Sequence, residues 1–221
     1  ESRARLELAR LLDELYLTDH AIQHLNAVIA LKPGAPYSAL PLAYLRLGQA
    51  HDRLGAREDA VEAYRHAQAS APERDVYRIR ETAADGLRRA PNARKAEAYR
   101  LSLEGWRLLE QNDLEGATAA LERSLSLDKD DPVARFRYGR VLQAREQDPA
   151  ALVQFETTIR QRRNCPAPIL GNAYLEAARL HERAGRRDQA ISYYRIASTL
   201  FGAAAETKSA ATRALSRLRA R

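Results

Sequence analysis

The chain has 221 residues, 45% of them hydrophobic, a formal net charge of +7 and a single cysteine. That is enough apolar material for one large domain or two small ones. One cysteine excludes an internal disulfide and a cysteine-based zinc site, and with a mean hydropathy of −0.52 no apolar run approaches the roughly 20 residues of a membrane span.

Residue 1 is Glu, methionine is absent, and helical spacing begins at once. The chain therefore reads as a fragment of a longer one, soluble, with any targeting segment outside it and its compartment open. Four of the 36 basic residues are lysines (Lys32, Lys95, Lys129 and Lys208) and the other 32 are arginines. Arginine suits bidentate pairing with carboxylate or phosphate. The plainer reading of an Ala- and Arg-rich, Lys-poor chain is a GC-rich bacterial genome, and 29 acids are interspersed among the bases.

In chain order, apolar residues recur at helical rather than alternating spacing. Laid in the 34-residue frame of the repeat family that the chain resembles, as set out below, pairs of helices are expected over 2–35 and 41–74. "RDVYRIRETAADGLRRAP" (Arg74 to Pro91) adds an amphipathic helix, stopped by Pro91 and Asn92. Further pairs are expected over 98–131, 132–165 and 171–204. "AAETKSAATRALSRLRAR" (Ala204 to Arg221) then takes the place that the earlier single helix holds. Residues 44–72 and 174–202 align without a gap at an offset of 130: Tyr44, Leu45, His51, Arg53, Gly55, Arg57, Ala60, Tyr64, Arg65 and Ala67 all recur.

Each pair fits a 34-residue frame. Its eighth position is Ala9, Gly48, Gly105, Gly139 or Ala178, its twentieth is alanine in every unit, and its twenty-fourth is Leu25, Tyr64, Leu121, Phe155 or Tyr194. A closing proline stands only at Pro33 and Pro72. The pattern resembles the tetratricopeptide repeat (TPR), a helix–turn–helix with W-x2-L-G-x2-Y, then A-x3-F, then P. The resemblance implies an all-α, right-handed solenoid of about five helix pairs, with two single helices that cap or pack against uncovered apolar faces. Two modules are expected, 1–91 and 92–221, with a hinge near Pro91–Lys95.

No phosphate-loop, H-E-x-x-H or G-x-S-x-G motif occurs, and nothing assembles a nucleophile with a base. The chain reads as non-enzymatic, with no cofactor and no metal. His20 and His24 are four apart but lack a third ligand, so they read as surface residues. His51 and His181 read as packed residues bridging helices. Carboxylates at Glu110, Asp113 and Glu115 read as caps of helix termini.

The resemblance implies a concave groove lined by the first helix of each pair. Its frame places Arg46, Gln49, Arg53, Trp106, Arg137, Arg140, Asn172, Arg179 and Arg183 there. Trp and Arg often dominate binding energy at interfaces, although packing of Trp106 and pairing of the arginines with acids are the plain alternatives. The expected function is a protein-interaction scaffold holding an acidic peptide or partner helix. The alternatives are a basic surface for nucleic acid or another polyanion, for which aromatic and motif support is thin, and a structural or self-assembling segment.

"RQRRNCPAP" (Arg160 to Pro168) holds three arginines and the only cysteine. Arg160 to Cys165 close the fourth unit, and Pro166 to Leu170 are five inserted residues, matched at the offset of 130 by Pro36 to Leu40. The stretch reads as an elongated elbow between units, with Cys165 incidental, since Ala35 stands at the matching place. The arginines are expected to face the carbonyl end of the preceding helix.

Overall fold

The helical spacing is realised as twelve helices with no strand among the described residues. The computed structural model describes residues 1–34, 38–89 and 91–219. The comparison of Ala35 and Pro36 with Cys165 and Pro166 falls outside those residues. The chain divides into two compact units, 1–100 and 101–221.

The first unit holds α1 (Ser2–Glu14), α2 (Thr18–Ala30), α3 (Ala39–Leu54), α4 (Arg57–Ser70), α5 (Ile79–Arg88) and the start of α6 (Ala93–Glu110). The second holds the rest of α6, then α7 (Leu114–Leu127), α8 (Pro132–Ala144), α9 (Asp148–Arg160), α10 (Ala167–Arg183), α11 (Arg187–Thr199) and α12 (Ala205–Arg219).

Small residues at the eighth position let large ones at the twenty-fourth fill the space between paired helices. A Cβ added at Gly48 would lie 2.7 Å from the Tyr64 ring, at Gly105 2.5 Å from Leu121, and at Gly139 2.6 Å from Phe155. The turn inside every pair is also the same. Its fifteenth residue is left-handed in all five units: Tyr16, Gly55, Asn112, Glu146 and Gly185, with φ between 59° and 75°. The following N–H donates at 2.9 Å to the carbonyl of the eleventh residue, Leu12, His51, Leu108, Leu142 or His181. This closure satisfies carbonyls that a helix end leaves open, and only glycine adopts it without steric cost.

The two units repeat one polar arrangement. In the first, the Tyr64 hydroxyl donates to Asp52 (3.0 Å), while Arg57 donates to Asp52 (2.9 Å) and to the carbonyls of Gly86 and Leu87 at the end of α5 (2.9 and 2.7 Å). In the second, the Tyr194 hydroxyl donates to Glu182 (2.8 Å), and Arg187 donates to the Leu218 carbonyl near the end of α12. Each single helix is thus held by an arginine from the start of the second helix of a pair.

Two elements differ from the sequence expectation. The segment 74–91 becomes helical only from Ile79, because the Asp75 carboxylate accepts from the N–H groups of Ile79 and Arg80 (2.8 Å each) and Arg78 is left-handed (φ 54°). The inserted residues Pro166 to Leu170 are also mostly helix. Pro166 is the N-cap and Pro168 sits in the first turn, where a missing N–H costs nothing. The insertion therefore lengthens α10 to 17 residues, against 13 in α8, and the elbow itself is Gln161 to Cys165. The added turn meets the approach to α12: a Cβ at Gly171 would lie 2.7 Å from Ala203, one at Gly202 2.8 Å from Ala167, and Thr207 donates to Asn172 (2.5 Å). In the first unit α3 is likewise long, 16 residues, and its Leu42 packs with Ala71, Ile79 and Ala83 around α5.

A candidate peptide-binding face in the second unit

The first helices of the three pairs in this unit, α6, α8 and α10, are joined by a continuous line of polar contacts. α8 starts behind Asp131, whose carboxylate accepts from the Val133 N–H at 2.8 Å. Its register then places Arg137, Arg140 and Gln143 at three-residue intervals along the helix. Arg137 is only 3% exposed. Its Nη1 donates to Ser102 Oγ at 2.8 Å, and its guanidinium lies over the Trp106 ring, 5.9 Å from the centroid. Arg137 therefore ties α8 to α6 and gives Trp106 a cationic neighbour. The Trp106 Nε1 is buried without an acceptor among the described residues.

The next contact is an unequal one. Glu176 of α10 has a side chain only 7% exposed. Its Oε1 accepts from Arg179 at 2.7 Å and lies 3.9 Å from Arg140, while its Oε2 accepts from Gln143 at 3.1 Å. The side chains of Arg140 and Arg179 remain 40% and 48% exposed. One shielded carboxylate thus orients two guanidiniums that still face solvent.

The remaining expected positions divide differently. Arg183 pairs with Asp148 of α9 at 3.0 Å. Asn172 is engaged by Thr207 and serves the docking of α12, apart from the other residues. In the first unit, Arg46 donates to the Leu6 carbonyl (2.9 Å) and borders a cavity of about 1010 Å³ with Glu7, Leu42, Arg74 and Tyr77. Burial lowers its pKa below the usual arginine value. Arg53 pairs with Asp13 (2.8 Å) beside the Tyr16 ring, and Gln49 is exposed.

His181 is buried with Nε2 3.2 Å from Glu156 of α9 and its ring edge-on to Tyr193 of α11, so it bridges helices as expected of a packed residue. Burial, helped by Arg186, lowers its pKa and holds it neutral. Burial pushes the Cys165 thiol up to about 12, which leaves almost no thiolate at neutral pH. Arg160 bonds the Thr157 hydroxyl at 2.5 Å, whereas Arg162 and Arg163 are exposed. Asp113 caps α7 through the Gly116 N–H at 2.9 Å. Among the described residues no group of three or more His, Cys, Asp or Glu is placed to hold a metal ion, and no helix is long and apolar enough to cross a membrane.

Sequence reasoning passed over two arginines of this unit. Arg213 and Arg217 lie one turn apart on α12, beside α10. The signal was present in their i, i+4 spacing, opposite the small residues that α12 buries.

Residues 42–74 match one tetratricopeptide repeat model and residues 108–170 match another. No curated protein matches the sequence. Among solved structures, the chain is similar to YrrB, a TPR protein with an unusual peptide-binding site, at 18% identity over 97% of this chain and 91% of that one, with a TM-score of 0.45. It is similar to the TPR2AB domain of yeast Sti1 in complex with pHSP90, at 17% identity over 98% and 96% of the two chains and a TM-score of 0.46. It is also similar to TTC0263 of Thermus thermophilus, a thermophilic TPR protein, at 18% identity over 97% and 99% and a TM-score of 0.44.

Proposed function

Because the chain belongs to the tetratricopeptide repeat family, whose helix pairs commonly serve as protein-interaction scaffolds, we propose that it is a non-enzymatic scaffold that binds an acidic peptide across α6, α8 and α10. The observation that carries this reading is the convergence of Arg140 and Arg179 on the single carboxylate of Glu176. A carboxylate shared by two arginines leaves net positive charge, and its burial fixes where that charge points. Fixed guanidiniums lose less conformational entropy on pairing with an incoming carboxylate than free ones do. Trp106, held beside Arg137, supplies an aromatic surface next to the charged one.

Fluorescence anisotropy of a fluorescein-labelled hexaglutamate peptide with the 221-residue chain tests the reading. Reversing both charges, Arg140→Glu with Arg179→Glu, is expected to weaken binding by at least about tenfold. Binding is also expected to fall as salt is raised, because these charges are half-exposed and screened. Unchanged affinity of a folded double variant would refute the assignment.

A further inference from the structure

Helix α12 docks through one side only. Thr207, Ala211, Ala214 and Leu218 are buried, Thr207 bonds Asn172, and Arg187 grips the Leu218 carbonyl. Arg213 and Arg217 lie off this side. With α10 they border a cavity of about 550 Å³, together with Arg179, Glu182, Arg183 and Tyr194. Four guanidiniums and one carboxylate thus share a space large enough for side-chain-sized groups.

The arginines here are unequally engaged. Arg217 Nη2 donates to both oxygens of Glu182 (2.7 and 2.8 Å). Arg179 and Arg183 have their acids outside the cavity, in Glu176 and Asp148. Arg213 is exposed and has no ion-pair partner among the described residues. Counting Arg140, which shares Glu176, five arginines meet three carboxylates across α8, α9, α10 and α12.

The first unit shows that docking a single helix does not need these arginines. Aligned on the carbonyls that Arg57 and Arg187 grip, Leu87 matches Leu218, so Thr82 and Gly86 stand where Arg213 and Arg217 do. α5 is held there with no arginine at either place. Arg179 belongs both to the Glu176 cluster and to the α10–α12 cavity, so the two regions form one basic surface.

We propose that α12 is part of the binding surface, and that the α10–α12 cleft takes a second acidic side chain of the same peptide partner. This rests on the peptide-binding reading above. The partner then carries at least two acidic residues, one for Arg140 and Arg179 and one for Arg213 and Arg217. Arg217 is held by Glu182, and Arg213, without an ion-pair partner among the described residues, is the cation that the partner completes.

The test uses the labelled hexaglutamate peptide and the full 221-residue chain. Arg213→Glu removes no hydrogen bond or ion pair among the described residues and is expected to leave thermal unfolding unchanged while weakening the peptide about fivefold or more. Arg65→Glu, the same charge change at an exposed position of α4, is expected to leave binding unchanged. If Arg213→Glu binds like the parent while Arg140→Glu with Arg179→Glu is weakened, the role of α12 is refuted and the peptide face stands. If neither weakens binding, or the parent does not bind the peptide, both readings fall. Equal weakening by Arg65→Glu would show a diffuse charge effect and overturn the cleft. Equally tight, Arg213-dependent binding of an oligothymidylate would make this a general polyanion surface and overturn the peptide assignment.

Discussion

Replacing Glu176 by glutamine separates stability from binding, because the two are expected to move in opposite directions. The carboxylate accepts from Arg179 at 2.7 Å and Gln143 at 3.1 Å and lies 3.9 Å from Arg140, with only 7% of its side chain exposed. An amide has one acceptor oxygen, so Arg179 keeps its bond only if the new N–H2 faces Gln143, and Gln143 keeps a partner only by turning its own amide to accept. A bond lost by a donor that water can still reach costs about 0.5–1.5 kcal/mol, and turning the surviving charge-assisted bond neutral costs about 1 kcal/mol. The expected destabilisation is about 1–2.5 kcal/mol, or about 2–10 °C in Tm for a chain of this size. The same change strips the carboxylate from beneath two half-exposed guanidiniums. For an acidic ligand about 7 Å away, one removed negative charge is worth about 0.6–2 kcal/mol between water-like and protein-surface screening. Hexaglutamate should therefore bind about 3- to 30-fold more tightly at low salt, with the gain shrinking at high salt. Differential scanning calorimetry and anisotropy on the same sample read both signs. Weaker binding by a folded Glu176→Gln protein would refute the view that Glu176 restrains a charged site.

Two further outcomes follow from the turns and from the thiol. Glu146 is exposed and left-handed at φ 59°, where Gly55 and Gly185 stand in sister units, so Glu146→Gly should relieve strain and raise stability by about 1 kcal/mol; a lower Tm in calorimetry would show that the turn is not strained. Burial pushes the Cys165 thiol up to about 12 from an ordinary 9.0, so the stability that its neutral form contributes is full below pH 9 and lost as pH rises toward 12. A disulfide reagent at pH 8 should react with this partly buried thiol well below the rate of free cysteine, and reaction at the free-cysteine rate would contradict the upward shift.

The helix pairs were legible because their code is short-range and steric. Gly48 with Tyr64, Gly105 with Leu121 and Gly139 with Phe155 are contacts that the resemblance to the tetratricopeptide frame implies between paired helices. Helix ends were less legible, because single polar groups decide them. Asp75 and a left-handed Arg78 delay α5 to Ile79, and the inserted residues Pro166 to Leu170, read as part of an elbow, mostly extend α10. The candidate face was legible only in outline. Frame positions located Trp106, Arg140 and Arg179, but not the burial of Arg137, which depends on Ser102 lying across a neighbouring helix. Arg213 and Arg217 were obscured because α12 buries a single large apolar side chain, Leu218, beside Thr207, Ala211 and Ala214, and a weak apolar stripe hides which side is left over.

The long first helix of the last pair has a consequence for how such a chain can grow. Its added turn exists to meet the approach to α12, through Gly171 and Ala203, Ala167 and Gly202, Asn172 and Thr207. An ordinary 34-residue repeat inserted between α11 and α12 would carry α12 away from the helix shaped to receive it. Copying the whole set, long helix, partner and single helix together, keeps every such fit intact, and this set recurs in the chain at an offset of 130 residues, with two ordinary pairs, α6 with α7 and α8 with α9, between the copies.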